Sequence, residues 1–205
     1  MSEKYFHKEP GGIRDYEITI EDEAKLKEMV GRVNEITRAI KEKNWQQLIE
    51  WQRGGKYEKY YDYAHDDLEK IFESLSEEEI VLQAVALVIF REQAQWGSFA
   101  RTAIKYLAGG NHDLNDLLDK EALPTCIDSA VITDALTKSL GIEGEVKKTG
   151  NRFSHRYWQG KSGAIVDVWW AYKEGGLVRS QAKFDELNKS QGGSGHSCVQ
   201  ISGSK

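Results

Sequence analysis

Leu26, Met29, Val30, Val33, Ile36 and Ile40 recur at three- and four-residue intervals, which places apolar side chains on one face of a helix. Asn44 is positioned to cap a second, short helix carrying Trp45, Leu48 and Ile49, and Gly54-Gly55 ends it. A third helix, rich in Tyr and acidic residues, is predicted from about Tyr57 to Leu75. Ser76 followed by Glu77, Glu78 and Glu79 has the form of a capping box, with acidic residues where the helix dipole favours them. The segment it opens is apolar nearly all round from Ile80 to Phe90, the pattern of a helix in the middle of a domain. Another helix is expected from Ser98 to Leu107, ended by Gly109-Gly110, and a short helical turn from Asp113 to Asp119. The N-terminal two thirds of the chain thus read as helices.

The pattern changes after Cys126. Ile127, Ala130, Val131, Ala135, Leu136 and Leu140 continue helical spacing until Gly141. Three strands are then predicted, Gly144 to Thr149, Arg152 to Gln159 and Ala164 to Tyr172, separated by Gly-containing turns. Leu177-Val178 adds a short edge strand. The segment after Lys189 is Ser- and Gly-rich and is expected to be mobile. Helices followed by an antiparallel sheet make an α+β layout: a helical N-terminal extension (1–75), a core with a Cys-bearing helix packed on a small sheet (76–189), and a tail (190–205).

Composition narrows the functional classes. The 205 residues include 6 Trp, 9 Tyr and 6 Phe, ample aromatic material for a core, so wholesale disorder is excluded. A net charge of −5 disfavours a general nucleic-acid binder, which needs a basic face. The longest apolar run, Ile80 to Phe90 with Gln83 inside it, falls short of the ~20 residues that span a bilayer. No apolar h-region follows Met1, so no secretory signal is read and a soluble, cytoplasmic protein is expected. Two Cys make neither a disulfide framework nor a four-Cys zinc site.

Three residues stand out chemically. Cys126 follows Pro124-Thr125 at the first turn of a helix, where partial positive charge and N–H groups favour a thiolate and an oxyanion. Taken alone, a Cys before an apolar helix is more often buried filler. His155 falls on a strand whose alternation sets Phe153, His155 and Tyr157 on one face, a position more often filled for packing. Asp167 stands inside Ile165-Val-Asp-Val-Trp-Trp170, where a buried carboxylate without a partner costs several kcal/mol. A hairpin loop of Gly160 to Ser162 would set Gln159 opposite Gly163 and His155 directly opposite Asp167.

In this order, Leu117 to Tyr172 resembles the core of the transglutaminase-like superfamily of papain-type Cys-His-Asp enzymes. The resemblance rests on Pro124-Thr-Cys-Ile-Asp-Ser-Ala130, Leu136-Thr-Lys-Ser-Leu-Gly-Ile142, Ser154-His-Arg-Tyr-Trp158 and Gly163-Ala-Ile-Val-Asp-Val-Trp169. It departs at Pro124, where Gly is frequent, and at Val168, where Pro is common. The resemblance implies a transglutaminase-like fold and a cysteine hydrolase, peptidase or acyltransferase acting on an amide bond of a peptide or protein. It implies Cys126 as nucleophile, His155 as acid and base and Asp167 as its orienting partner; no cofactor, metal, nucleic acid or membrane is expected. A side-chain oxyanion donor from upstream would be Gln95 or Trp96, although both read more readily as helix-end packing or surface. The alternative is a non-catalytic module of the same fold that binds a protein partner.

The remaining candidates are weaker. His7, His65, His112 and His196 show no metal-ligand spacing, and His112-Asp113 reads as a loop and helix cap. Cys198, beside His196 in the tail, reads as an exposed free thiol. Tyr57, Tyr60, Tyr61 and Tyr63 fit an amphipathic packing face better than a surface for sugars, peptides or a partner. Gly193-Ser-Gly195 lacks the strand and helix of a dinucleotide site.

Overall fold

The computed structural model describes residues 5–9, 16–53, 65–73, 75–93, 99–118, 125–149, 155–168 and 176–190. Gly54-Gly55, the four clustered tyrosines, the far end of the third predicted strand and the tail with His196 and Cys198 lie outside these residues.

The first described elements are strands, not helices. Strand β1 (Tyr5–Glu9) pairs antiparallel with β2 (Tyr16–Ile20), with Tyr5 opposite Ile20. Tyr16, Ile18 and Ile20 alternate with polar residues, and Ile18 and Ile20 are buried. This two-residue period is too short to compete with the long helical pattern beginning at Leu26. Helix α1 (Glu23–Lys41) buries the predicted stripe through Met29, Val33, Ile36 and Ile40. Helix α2 (Trp45–Arg53) is capped as the sequence predicts, Asn44 Oδ1 accepting the Gln47 N–H at 3.2 Å. Helix α3 (His65–Phe72) follows.

Helix α4 (Glu77–Gln93) opens on the predicted capping box. The Ser76 N–H donates to Glu79 at 2.7 Å, and the Glu79 N–H to Ser76 Oγ at 3.3 Å. Its residues from Leu82 to Phe90 are all buried, because it packs between α1 and the helix that starts at Cys126, with contacts to two of the strands beyond it. Helix α5 (Phe99–Ala108) leads into β3 (Gly110–His112), which joins β2 in parallel and completes a sheet of order β1-β2-β3. Asp113 caps α6 (Leu114–Leu117) through a reciprocal capping box with Asp116.

Helix α7 (Cys126–Ser139) is buried from Ile127 to Thr137. It lies between α4 and an antiparallel sheet of order β4-β5-β6-β7: β4 (Gly144–Lys148), β5 (Arg156–Gly160), β6 (Ile165–Val166) and β7 (Leu177–Val178). Trp158 belongs to the main core, while Tyr157 packs on the other face of the sheet with Ile165, Val178 and Phe184. Phe184 comes from α8 (Gln181–Ser190), a helix the sequence pattern does not announce. The main core draws on residues either side of position 75, from Ile18 and Val33 to Trp158 and Leu177. The architecture is α+β, with two small sheets among the described residues. Among the described residues no helix is long and apolar enough to cross a membrane.

The hairpin register corrects the expectation. Trp158 stands opposite Val166 and Gln159 opposite Ile165, and the turn residues are Lys161 to Gly163. Gly163 takes a φ of +90°, a left-handed conformation that glycine reaches without Cβ strain. Continued one residue, this register sets Asp167 opposite Tyr157, two residues from the expected partner His155. A two-residue slip keeps the same face because the side-chain period is two.

Buried Asp134 ties three elements together. Its carboxylate accepts from Tyr5 Oη at 2.8 Å, Trp158 Nε1 at 3.1 Å and Lys138 Nζ at 2.8 Å. Burial, reinforced by Asp134, holds the Tyr5 phenol well above its ordinary range and hence protonated. Asp134→Ala strands the Trp158 and Tyr5 donors and is expected to cost about 2–4 kcal/mol, and Tyr5→Phe about 0.5–1.5 kcal/mol. Urea midpoints at unchanged m-value measure both. Equal, small losses would mean that the carboxylate is not the organising group.

Candidate active site

The first turn of α7 is built by its cap. Thr125 is extended, its Oγ1 accepts the Asp128 N–H at 3.3 Å, and its N–H and Oγ1 donate to Asp128 Oδ2 at 3.2 and 3.0 Å. This capping box holds Cys126 as the first helical residue, where the helix's positive end favours a thiolate. The Asp128 carboxylate beside it acts the other way, but Lys105 Nζ from α5 lies 3.4 Å from Asp128 Oδ1 and counters that charge. One turn on, the Ser129 hydroxyl donates to Gln93 Oε1 at the end of α4, at 2.5 Å.

His155 directly precedes β5. Its N–H donates to Thr149 Oγ1 and its C=O accepts the Thr149 N–H, both at 3.0 Å, extending the β4–β5 ladder by one residue. Asp167 follows β6, its N–H donating to the Gly176 C=O at 2.9 Å. Gly176 is at φ +88°, and a Cβ there would stand 2.9 Å from Ala86 Cβ, so α4 leaves room only for glycine. The backbone thus fixes both residues independently of their side chains.

The side chains converge. His155 and Asp167 are 5% and 4% exposed, and Asp167 Oδ2 is hydrogen-bonded to His155 Nε2. The half-buried Cys126 side chain hydrogen-bonds to the same imidazole. With Nε2 engaged by the carboxylate, Nδ1 is the ring nitrogen left for the thiol. Burial works to lower the His155 pKa, but the Asp167 charge and hydrogen bond outweigh it, and Cys126 adds to them. The result is a rise from the usual 6.5 to about 10, so the imidazole is held protonated at neutral pH. A cationic imidazole beside a thiol at a helix N-terminus favours the thiolate.

The structure therefore brings Cys126, His155 and Asp167 together, although the strand register differs from the one expected. Gln95 and Trp96 lie outside the described residues. The sequence reading missed Gln93, Ser129, Thr149 and Lys105. The readable signals were Gln93, a polar residue ending an apolar helix, and the Thr125-x-x-Asp128 capping box. The Lys105–Asp128 contact joins separate elements and leaves no local pattern.

Two other features bear on the site. A groove of about 890 Å³, lined by Lys138, Glu143, Lys147, Gln159 and Lys161 among others, lies at the opposite end of α7. At 1.5 Å per residue that is about 20 Å from Cys126, so it plays no part in the geometry above. Among the described residues no group of three His, Cys, Asp or Glu is arranged to hold a metal ion.

Compared with protein-family models, with curated proteins and with solved structures, the chain matches none.

The His155 shift has a thermodynamic sign. A pKa raised on folding gives stabilisation that is complete below the unfolded value near 6.5 and is lost as pH rises through 10. The unfolding free energy of the wild type is therefore expected to fall across that window by more than that of Asp167→Asn. Urea titrations from pH 6 to pH 10.5 make the comparison. Parallel profiles would show that the carboxylate does not set the protonation of His155.

Proposed function

We propose that this protein is a cysteine-dependent amide hydrolase or acyl transferase, acting on a peptide or protein substrate through a covalent thioester. The observation that carries the reading is the buried His155–Asp167 pair, with the Cys126 side chain hydrogen-bonded to the same imidazole. A structural histidine needs neither a thiol nor a carboxylate. A thiol nucleophile is activated by such a base, and the base is oriented by such a third group. The same reading takes residues 76–189 as a transglutaminase-like core. It is supported by a Cys-led helix packed on an antiparallel sheet, His155 at the start of one strand and Asp167 just beyond the next.

The roles follow from the geometry. The Cys126 thiolate attacks the amide carbonyl carbon, forming the S–C bond and moving the C=O electron pair onto oxygen. The resulting oxyanion forms beside the helix N-terminus, whose dipole and N–H groups stabilise it. The protonated His155 then gives its proton to the leaving nitrogen as the C–N bond breaks. Asp167 keeps the ring oriented and its charge compensated through both steps. Neutral His155 next takes a proton from water or from an incoming amine, which resolves the thioester into acid or new amide.

Thiol reactivity tests this without a known substrate. Cys126 is expected to react with iodoacetamide at pH 6 at least about tenfold faster than Cys198, because its thiolate persists at that pH. Mass spectrometry of the labelled peptides gives both rates. Asp167→Ala should remove most of the advantage, and Cys126→Ala should abolish turnover in a panel of peptide, isopeptide and glutamine-amide probes. Equal rates for the two thiols would overturn the catalytic reading in favour of a binding module.

A further inference from the structure

The acidic cap of α7 works against the residue it presents. Asp128 completes the capping box that holds Cys126, and a carboxylate suits a helix N-terminus for the same reason that a thiolate does. The two positions are about 3 Å apart along the helix axis, so the charge of the carboxylate is felt at the sulfur. The Asp128 side chain is 2% exposed, and water therefore does little to screen it. Left unopposed, this carboxylate would disfavour a second anion in the same turn.

Lys105 on α5 meets that charge from outside the helix. Its ammonium is 3.4 Å from Asp128 Oδ1 and donates to the Asp116 C=O of α6 at 2.8 Å, and its side chain is 11% exposed. An ammonium anchored on a backbone carbonyl and enclosed by protein acts more strongly than one in water. The other titratable groups described around this turn are His112, Asp116 and the His155–Asp167 pair. His112, at the end of β3, is held below its usual range by burial and then by the Lys105 charge, so it is neutral at pH 7. The Asp116 carboxylate is half-exposed, where solvent screens it. His155 and Asp167 approach from the strand side, and α4 contributes the neutral Gln93.

We infer that Lys105 is a positioning residue of this site: its ammonium, fixed between the Asp128 carboxylate and the Asp116 carbonyl, offsets the charge of the acidic cap so that the Cys126 thiolate forms against the His155 imidazolium. The inference rests on Cys126 being the nucleophile. Lys105 acts through Asp128 and takes no part in making or breaking bonds. The turn can thus keep a carboxylate cap, with its two hydrogen bonds from Thr125, and still present a reactive thiol. The effect of losing Lys105 is read in the protonation of Cys126, and it depends on Asp128 being charged.

That dependence provides the test. Iodoacetamide labelling of the full chain is followed between about pH 4 and pH 9, with Cys198 as reference thiol and mass spectrometry of the labelled peptides giving each rate. In Lys105→Met the midpoint of the Cys126 rate profile is expected to rise by about one pH unit, so the rate below the midpoint falls about tenfold. Lys105→Arg keeps the charge and should stay within about threefold of wild type. Lys105→Gln keeps a donor for the Asp116 carbonyl without the charge. It should shift as Lys105→Met does, and it carries the test if that variant fails to fold. The deciding variant combines Lys105→Met with Asp128→Asn, whose Oδ1 can still accept the Thr125 N–H. Its rates should return to within about threefold of wild type, because both charges are gone. A profile that stays shifted in the double variant would make Lys105 a packing residue and overturn the inference, as would unshifted profiles in Lys105→Met and Lys105→Gln. If wild-type Cys126 and Cys198 share one profile, the nucleophile assignment fails first, and the Lys105 role with it.

Discussion

A carboxylate enclosed between valines must be paired, and that requirement organises the site end of the molecule. Asp167 stands between buried Val166 and Val168, where an isolated charge is prohibitively expensive. His155 provides the counter-charge, and the pair sits where β6, only two residues long, ends. The same rule recurs along α7. Asp128 is met by Lys105, and Asp134 by Lys138, Tyr5 and Trp158. Three buried acidic groups are each neutralised locally, and the imidazolium is the cation that reaches the thiol.

The location of Cys126 follows from packing. Helix α7 is enclosed by α4 on one side and by β4 and β5 on the other, so its axis is fixed by the core. Its N-terminal turn is fixed separately, by the Thr125–Asp128 capping box and the Ser129–Gln93 bond. A reactive group on such an element is held more closely than one on a loop. The partners flank strands, their backbone positions set by Thr149 and Gly176, so no part of the constellation depends on a long unsupported side chain.

How much of this was legible depended on the range of each signal. Helices α1, α2 and α4 were readable because their periodicity and caps are local: Met29 to Ile40, Asn44, and Ser76 with Glu79. Strands β1 and β2 were not, since Tyr16 to Ile20 offers a single short alternation. Helix α8 was missed because, among its described side chains, Phe184 and Leu187 are the apolar ones packed on the sheet, too sparse a stripe to register. The three site residues were legible as unusual chemistry in unusual places, above all a carboxylate in an apolar strand. Their convergence survived a wrong register because the error was two residues, a full side-chain period. Gln93 was illegible as a support of the first turn of α7 because its partner Ser129 is remote in sequence.

The Tyr5–Asp134 bond joins residues 129 positions apart, whereas His155 and Asp167 are separated by 12. Loop-closure entropy grows with the logarithm of separation, so the N-terminal tie costs about 2 kcal/mol more to close than the imidazole–carboxylate pair. During folding the hairpin sheet and its His–Asp pair can therefore assemble from local contacts. Docking the N-terminal strands onto α7 requires a contact that spans most of the chain. The imidazole–carboxylate pair is thus a local contact, whereas the strap that secures α7 is non-local, the class of contact that slows folding.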